Sequence, residues 1–213
     1  MDTPARWDPA SLRLIAITDS LRDGIDGLAS RALSAVLGGA TMIQLRLNDE
    51  SPRTLVEVAR ALRAALPHVP LLVNARADVA LAAGAQGVHV GVDDIAPAVL
   101  RRIVSREFVI GVSVGDDADV SRSAGADYVG IGPVFGTGST AGAGTAIGID
   151  RFAEIARLCG LPAVAIGGVS AENAGAVMTA GASGIAVISA LLSSPDPTQA
   201  ARALRAAQDA SGR

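Results

Sequence analysis

The sequence predicts a (β/α)8 TIM barrel, an α/β fold of eight parallel strands closed on themselves, and three observations carry that prediction. Short apolar runs alternate with helical patterns eight times along 213 residues, the signature of a parallel sheet covered by helices. A Gly-Ala pair recurs at 39–40, 84–85, 125–126 and 181–182, each time ending a helical pattern just before an even-numbered strand. Around the last three pairs the text is almost superposable: Ala-Gly-Ala-Gln-Gly-Val-His-Val, Ala-Gly-Ala-Asp-Tyr-Val-Gly-Ile and Ala-Gly-Ala-Ser-Gly-Ile-Ala-Val. A two-unit period running four times gives eight strands, the number that closes this barrel. An open, doubly wound sheet would more typically carry a Gly-rich fingerprint after its first strand, and Thr18-Asp19-Ser20-Leu21 is not one.

The elements follow in order. Residues 12–18 form an apolar run stopped by Asp19-Ser20, the first strand. Residues 27–37 place Leu28, Ala32, Ala35 and Val36 at helical spacing before Gly38-Gly39. The second strand is 41–46. Ser51-Pro52 then supplies a cap and a first-position proline for a helix with Leu55, Val58, Leu62 and Leu66 on its apolar face. Strands at 70–74, 87–90 and 108–113 alternate with helices at 75–83, 95–105 and, more weakly, 116–124. The sixth strand, 126–131, ends at Gly132-Pro133. A helix at 149–159, a strand at 163–166, a helix at 171–180, a strand at 184–188 and a helix at 197–207 complete the count.

Composition narrows the function classes. The chain is half hydrophobic and reads as one domain over 1–213, with 1–11 a polar N-terminal extension lacking an apolar segment of signal-peptide length. A formal charge of −3 and the lack of any Lys/Arg block argue against a nucleic-acid surface. Residues 173–195 are uncharged and long enough to span a bilayer. Gly175, Gly181 and Gly184 with Asn173, Thr179 and Ser183 instead divide them into helix, turn and strand, so no membrane association is expected. A single cysteine, Cys159, precludes an internal disulfide and fits a reducing compartment, so a cytoplasmic setting is expected. The oligomeric state is left open.

In a closed barrel the chemistry collects where strands end and helices begin. The polar residues there are Thr18, Asp19, Gln44, Arg46, Asn48, Asn74, Arg76, Asp93, Asp94 and Ser113. From Gly136 to Gly148 no charged side chain appears, and Thr137, Gly138, Ser139 and Thr140 offer hydroxyls and an approachable backbone, a chemistry that suits phosphate or diphosphate. The same composition also makes a flexible surface loop. Gly167-Gly168 follows the seventh strand and Ile188-Ser189 the eighth, where this fold recurrently cradles phosphate. Among the remaining candidates, His89 and Cys159 read as packing residues, His68 as solvent-facing and Asp116, Asp117 and Asp119 as a solvated helix start. Trp7 is placed to cover the lower end of the barrel.

Seven stretches, in order and spacing over about residues 12–192, resemble thiamine phosphate synthase and its thiazole-tautomerase relatives. They are Gln44-Leu45-Arg46, Leu72-Val73-Asn74, Gly87-Val88-His89-Val90-Gly91, Gly111-Val112-Ser113, the run from Gly125 to Phe135, Ala165-Ile166-Gly167-Gly168-Val169 and Val187-Ile188-Ser189-Ala190. The resemblance implies a transferase of thiamine biosynthesis. Such an enzyme joins a hydroxymethylpyrimidine diphosphate to a thiazole phosphate with release of magnesium-bound pyrophosphate. It further implies that Gln44, Arg46 and Asn74 hold the aminopyrimidine and diphosphate, that Asp94 binds Mg²⁺ and that Ser113 contacts the diphosphate or pyrimidine. Thr137, Gly138 and Ser139, with Gly168, Ile188 and Ser189, would bind the thiazole phosphate. Arg46 and Ser113 are then the catalytic candidates.

This sequence departs from the family pattern at four positions. Asn48 and Thr140 stand where the synthases carry lysine, Ala75 where they carry a second magnesium aspartate, and Val92 where they carry glutamine. The thiazole-phosphate half of the pattern is intact and the diphosphate half is weakened. Gly115 and Asp116 stand where the tautomerases typically place a histidine. Two alternatives follow from the same residues: a non-catalytic or regulatory barrel that binds a thiazole or thiamine phosphate, and an isomerase of the tautomerase type. In all three the partners are small phosphorylated molecules.

Overall fold

The structure, a computed structural model, describes residues 7–136 and 145–210. Its strands are β1 (Leu14–Ile17), β2 (Met42–Leu45), β3 (Leu71–Asn74), β4 (Gly87–Val90), β5 (Val109–Val114), β6 (Tyr128–Ile131), β7 (Ala163–Ile166) and β8 (Gly184–Val187). The helices that follow them are α1 (Gly24–Leu37), α2 (Pro52–Ala65), α3 (Ala77–Ala83), α4 (Pro97–Leu100), α5 (Asp117–Val120), α6 (Ile149–Cys159), α7 (Ala174–Thr179) and α8 (Pro197–Ala210). The strands run parallel in sequence order and close, β1 pairing with both β2 and β8. The expected barrel is the one observed.

Alternation along each strand splits the apolar residues into two cores. Leu14, Ala16, Ile43, Leu45, Val88, Val90, Ile110 and Val112 face outward and meet the helices in one cluster, with Leu28, Val58, Phe152, Val177 and Leu204 among their partners. Ile15, Ile17, Met42, Leu72, Val109, Tyr128, Val164 and Ala186 form a second, interior cluster. Trp7 packs against that interior cluster, together with Leu12 from the 3-10 turn Pro9–Leu12, so Trp7 does cover one end of the barrel.

The Gly-Ala repeat has a local physical cause. All four glycines, Gly39, Gly84, Gly125 and Gly181, adopt positive φ (116°, 68°, 87° and 95°), which an L side chain reaches only with strain. In three of the four the alanine then bonds back five residues: Ala40 N–H to Ala35 O at 3.0 Å, Ala85 N–H to Ala80 O at 2.8 Å and Ala182 N–H to Val177 O at 3.1 Å, the Schellman closure of a helix. The next residue passes its N–H to the preceding strand: Thr41 to Leu14 O, Gln86 to Leu71 O, Asp127 to Ile110 O and Ser183 to Ala163 O. Each repeat thus ends a helix and sets the register of the strand that follows.

The helix expected over 95–105 is far shorter. Only Pro97–Leu100 is helical, and the chain continues in turns. Arg101 explains the stop, because its guanidinium donates to Ser105 O at 3.2 Å, Phe108 O at 2.8 Å and Gly125 O at 3.3 Å and pairs with Asp127 at 2.5 Å. Those bonds draw the segment back onto the β5 and β6 entrances. Among the described residues no helix is long and apolar enough to cross a membrane.

The seam between β8 and β1 leaves no room for a side chain. A Cβ on Gly184 would lie 1.9 Å from the backbone oxygen of Leu12. Gly184→Ala is therefore expected to destabilise the barrel by ~1–3 kcal/mol or more, the usual cost of overpacking, whereas Gly136→Ala, with nothing within 4 Å among the described residues, should change little. Urea denaturation of the two variants checks this.

Candidate active site

The same alternation that builds the interior core turns polar at the strand C-termini. Gln44, Asn74 and Ser113 occupy inward positions on β2, β3 and β5, and Gln44 Nε2 donates to Asn74 Oδ1 at 3.1 Å. This bond leaves the Gln44 carbonyl and the Asn74 amide group for other partners. The backbone at Arg46 is pinned by Thr18, a fully buried residue whose hydroxyl accepts from Arg46 N–H at 2.8 Å and donates to Arg46 O at 3.0 Å. The Arg46 guanidinium itself has no hydrogen-bond or ion-pair partner among the described residues. Asn48, Asn74, Ala75 and Arg76 line a cleft of about 230 Å³ together with Glu50. Arg76 in that cleft is paired with Asp78, which draws the Asp78 carboxyl below its usual range.

Ala75 is the only non-glycine residue with positive φ (61°) among the described residues. Its N–H donates to His89 O at 2.7 Å, and Arg76 N–H closes back on Asn74 O at 2.7 Å, so Ala75 is the centre of a tight three-residue turn. An L residue held there costs about 1–2 kcal/mol, and Asp or Asn tolerates it better than Ala. The turn at the mouth is held by a residue that bears this strain rather than by one that suits it.

Asp94 lies beyond β4 with its Oδ2 accepting from Gly91 N–H at 2.7 Å. Among the described residues no group of three or more His, Cys, Asp or Glu stands ready for a metal. Mg²⁺, however, commonly takes one or two carboxylates and fills its shell with water and substrate phosphate. The residues present fit a magnesium ion held largely by a diphosphate with Asp94 as its carboxylate. They do not fit a site built from protein ligands alone.

On the opposite side of the mouth, Gly167 and Gly168 follow β7 with φ of 88° and 64°. Gly168 is needed on steric grounds alone. A Cβ there would lie 2.5 Å from Gly136 O and 2.8 Å from Phe135 Cβ, and Phe135 N–H already bonds Gly167 O at 3.0 Å. The β6 and β7 loops are thus clasped together, and Asn173 holds the second by donating to Gly168 O at 3.0 Å. Ile188 packs on the interior cluster, and its carbonyl accepts from Leu191 and Leu192 as the chain turns through the exposed Ser189. Thr137, Gly138, Ser139 and Thr140 lie outside the described residues.

His89 is buried, as its packing role implies, but it is also hydrogen bonded through both ring nitrogens, which sequence reasoning missed. Nδ1 lies 2.8 Å from the Tyr128 hydroxyl and Nε2 lies 3.0 Å from Ser113 Oγ. Room for the two rings comes from Gly111, whose Cβ would fall 2.3 Å from the Tyr128 ring, and Gly130, whose Cβ would fall 3.0 Å from His89 Cε1. Burial pushes the imidazole down to about 4, with the Asp94 charge opposing it, and burial pushes the Tyr128 phenol up. The exposed His68 is solvent-facing as expected, and Cys159 packs partly buried against the outer core.

The buried ring carries a pH dependence with a definite sign. Unfolded His89 takes up a proton near 6.5, whereas folded His89 does so only near 4. Its neutral form therefore supports the fold fully above pH 6.5, and that support is lost as pH falls from 6.5 toward 4. The loss is on the order of 3 kcal/mol. Denaturation of wild type and His89→Gln across pH 4–7 should show a steeper fall for wild type in that window.

Comparison with known proteins shows the family. A family model described as thiamine monophosphate synthase matches residues 14–191. A thiamine-phosphate synthase from Azorhizobium caulinodans is 47% identical over 201 residues, covering 92% of this chain and 95% of its own length. One from Roseiflexus sp. is 47% identical over 197 residues, covering 89% of this chain and 82% of its own. The solved structure of a thiamine phosphate pyrophosphorylase from Pyrococcus furiosus superposes with a TM-score of 0.83 at 33% identity, covering 95% of this chain and 98% of that one. This chain belongs to the thiamine monophosphate synthase family.

Proposed function

We propose that this barrel is a thiamine phosphate synthase that joins a hydroxymethylpyrimidine diphosphate to a thiazole phosphate, working through a weakened diphosphate site in a cytoplasmic setting. The observation that carries the reading is the inward set Gln44, Asn74 and Ser113 together with Arg46, whose guanidinium has no partner among the described residues, in a chain of this family. The Gln44 carbonyl and Asn74 amide supply an acceptor and a donor of the kind an aminopyrimidine edge takes. Arg46 presents a planar fork that matches diphosphate oxygens, on a backbone fixed by Thr18.

In the reaction the bond between the pyrimidine methylene carbon and the diphosphate oxygen breaks, and its electron pair leaves with pyrophosphate. The thiazole nitrogen then gives its lone pair to that carbon, forming the new carbon–nitrogen bond. Arg46 stabilises the charge that develops on the leaving group, and Ser113 donates to the substrate beside it. The Gly167–Gly168 and Ile188–Ser189 turns, with Thr137, Gly138 and Ser139, hold the thiazole phosphate so that its nitrogen faces the carbon. Magnesium, held by Asp94 and the diphosphate, would neutralise the departing oxygens.

Asn48, Ala75, Val92 and Thr140 remove groups the family brings to the diphosphate. Losing even a partner outside the metal's own ligands typically costs ~10–100-fold, so losing a ligand should cost at least as much. The expected result is slow thiamine phosphate formation that needs millimolar magnesium. Ala75→Asp should help twice, by adding a carboxylate and by placing a residue that tolerates positive φ in the turn. Ala75→Asp with Thr140→Lys should raise the rate more than either alone, because both act on one leaving group. Product formation against magnesium concentration for the four proteins checks this. A fast wild type at low metal would refute the weakened site, and four inert proteins that still bind the thiazole phosphate would make the chain a binder.

A further inference from the structure

We infer that Tyr128 and His89 act as a positioning relay that fixes the Ser113 hydroxyl as a hydrogen-bond donor into the barrel mouth. The sequence of bonds runs from the Tyr128 O–H to His89 Nδ1, then from His89 Nε2–H to Ser113 Oγ, which leaves the Ser113 O–H for an acceptor atom of the substrate. The inference rests on the proposed synthase reading for its substrate, but not for the direction of the bonds.

That direction follows from satisfying every buried donor. Tyr128 is 1% exposed, and His89 Nδ1 is the only hydrogen-bond partner of its hydroxyl among the described residues. Were Nδ1 to carry the proton and donate to Tyr128, the phenolic O–H would be left buried with no acceptor, at a cost of about 1–3 kcal/mol. Tyr128 must therefore donate, so Nδ1 is the bare nitrogen. A neutral imidazole carries one N–H, which then sits on Nε2 and donates to Ser113 Oγ at 3.0 Å. The depressed imidazole basicity agrees with a neutral ring. No other hydrogen bond engages Ser113 Oγ among the described residues, and Ser113 is partly exposed at the inward end of β5.

The geometry is built rather than incidental. Gly111 and Gly130 stand on two neighbouring strands at the points where a Cβ would enter the Tyr128 ring and crowd His89 Cε1. Two glycines on adjacent strands therefore make space for a polar pair in an otherwise apolar interior. A serine left to rotate freely could accept as readily as donate. One that already accepts from His89 presents a donor, and so selects an acceptor such as a diphosphate oxygen or a ring nitrogen over a substrate N–H.

The relay is tested by spectroscopy and by a mutant cycle. The chain has two histidines, so ¹⁵N-histidine spectra of His68→Gln report His89 alone. The expected result at pH 7 is a protonated Nε2 and an unprotonated Nδ1. A protonated Nδ1, or a ring protonated at both nitrogens, would overturn the proposal. In the second measurement kcat/KM for thiamine phosphate formation is compared for wild type, Tyr128→Phe, Ser113→Ala and the double variant. Tyr128→Phe is expected to lose about tenfold, the worth of one well-placed hydrogen bond, in wild type and to cost little further once Ser113 is gone. An equal loss in both backgrounds would mean that Tyr128 acts only through packing and would end the relay. Should wild type make no product, the synthase reading falls, while the ring spectrum still decides the relay.

Discussion

The rest of this molecule depends on how a closed barrel fills its own interior. Seven of the eight strands are four residues long, so each sends about two side chains inward, and the register staggers them into layers. The layer toward the N-terminal end is apolar and is closed by Leu12 and Trp7. The layer toward the C-terminal end carries Gln44, Asn74 and Ser113. Between them lie His89 and Tyr128, polar groups that need partners because they are buried among apolar side chains. Their mutual bond and the bond to Ser113 answer that need, and the two facing glycines make it sterically possible. The stability of the interior and the orientation of a mouth residue are thus one problem with one solution.

The fold was legible because its signals are local. A glycine in left-handed conformation followed by a buried or half-buried alanine is a helix terminator that can be read from two letters, and four copies give the strand count. The mouth was legible for a related reason: in a parallel barrel the last inward residue of each strand points to the site, and alternation identifies it. What escaped was long range. The Tyr128–His89 contact joins residues 39 positions apart, and nothing in the text around His89 distinguishes a packed ring from a bonded one. The overlong helix at 95–105 failed similarly, since its stop is imposed by Arg101 reaching carbonyls on other segments. The strain at Ala75 was invisible because alanine carries no preference for positive φ that a reader could notice.

The glycine-rich side of the mouth shows how one residue can serve two demands. Gly168 reads from sequence as a place for a phosphate to approach the backbone. In the structure its missing side chain first admits Phe135 and Gly136 from the neighbouring loop. These demands point the same way, because the clasp between the β6 and β7 loops fixes the backbone that a phosphate would meet. A larger residue at 168 would displace the loop before it displaced a ligand, so affinity lost there reports the clasp as well as the cradle.

The cations of the mouth bring the remaining constraint into view. Every one of the 18 basic residues of this chain is arginine, so the absence of lysine at 48 and 140 belongs to a chain that has none. A lysine on a flexible stem can follow a departing pyrophosphate as a mobile point charge, whereas an arginine offers a rigid fork that favours one placement of two oxygens. Arg76 is tied to Asp78, and Arg22 is engaged with Asp19 and Leu192 O. That leaves Arg46, its backbone fixed by Thr18, as the mouth guanidinium without a protein partner among the described residues. On the proposed reading, charge stabilisation of the leaving group would fall on one guanidinium whose backbone alone is fixed, one oriented hydroxyl and whatever metal the substrate brings. A site with one such cation would, on that reading, bring less charge to the diphosphate than one with lysines at 48 and 140, a weakness that added magnesium would offset.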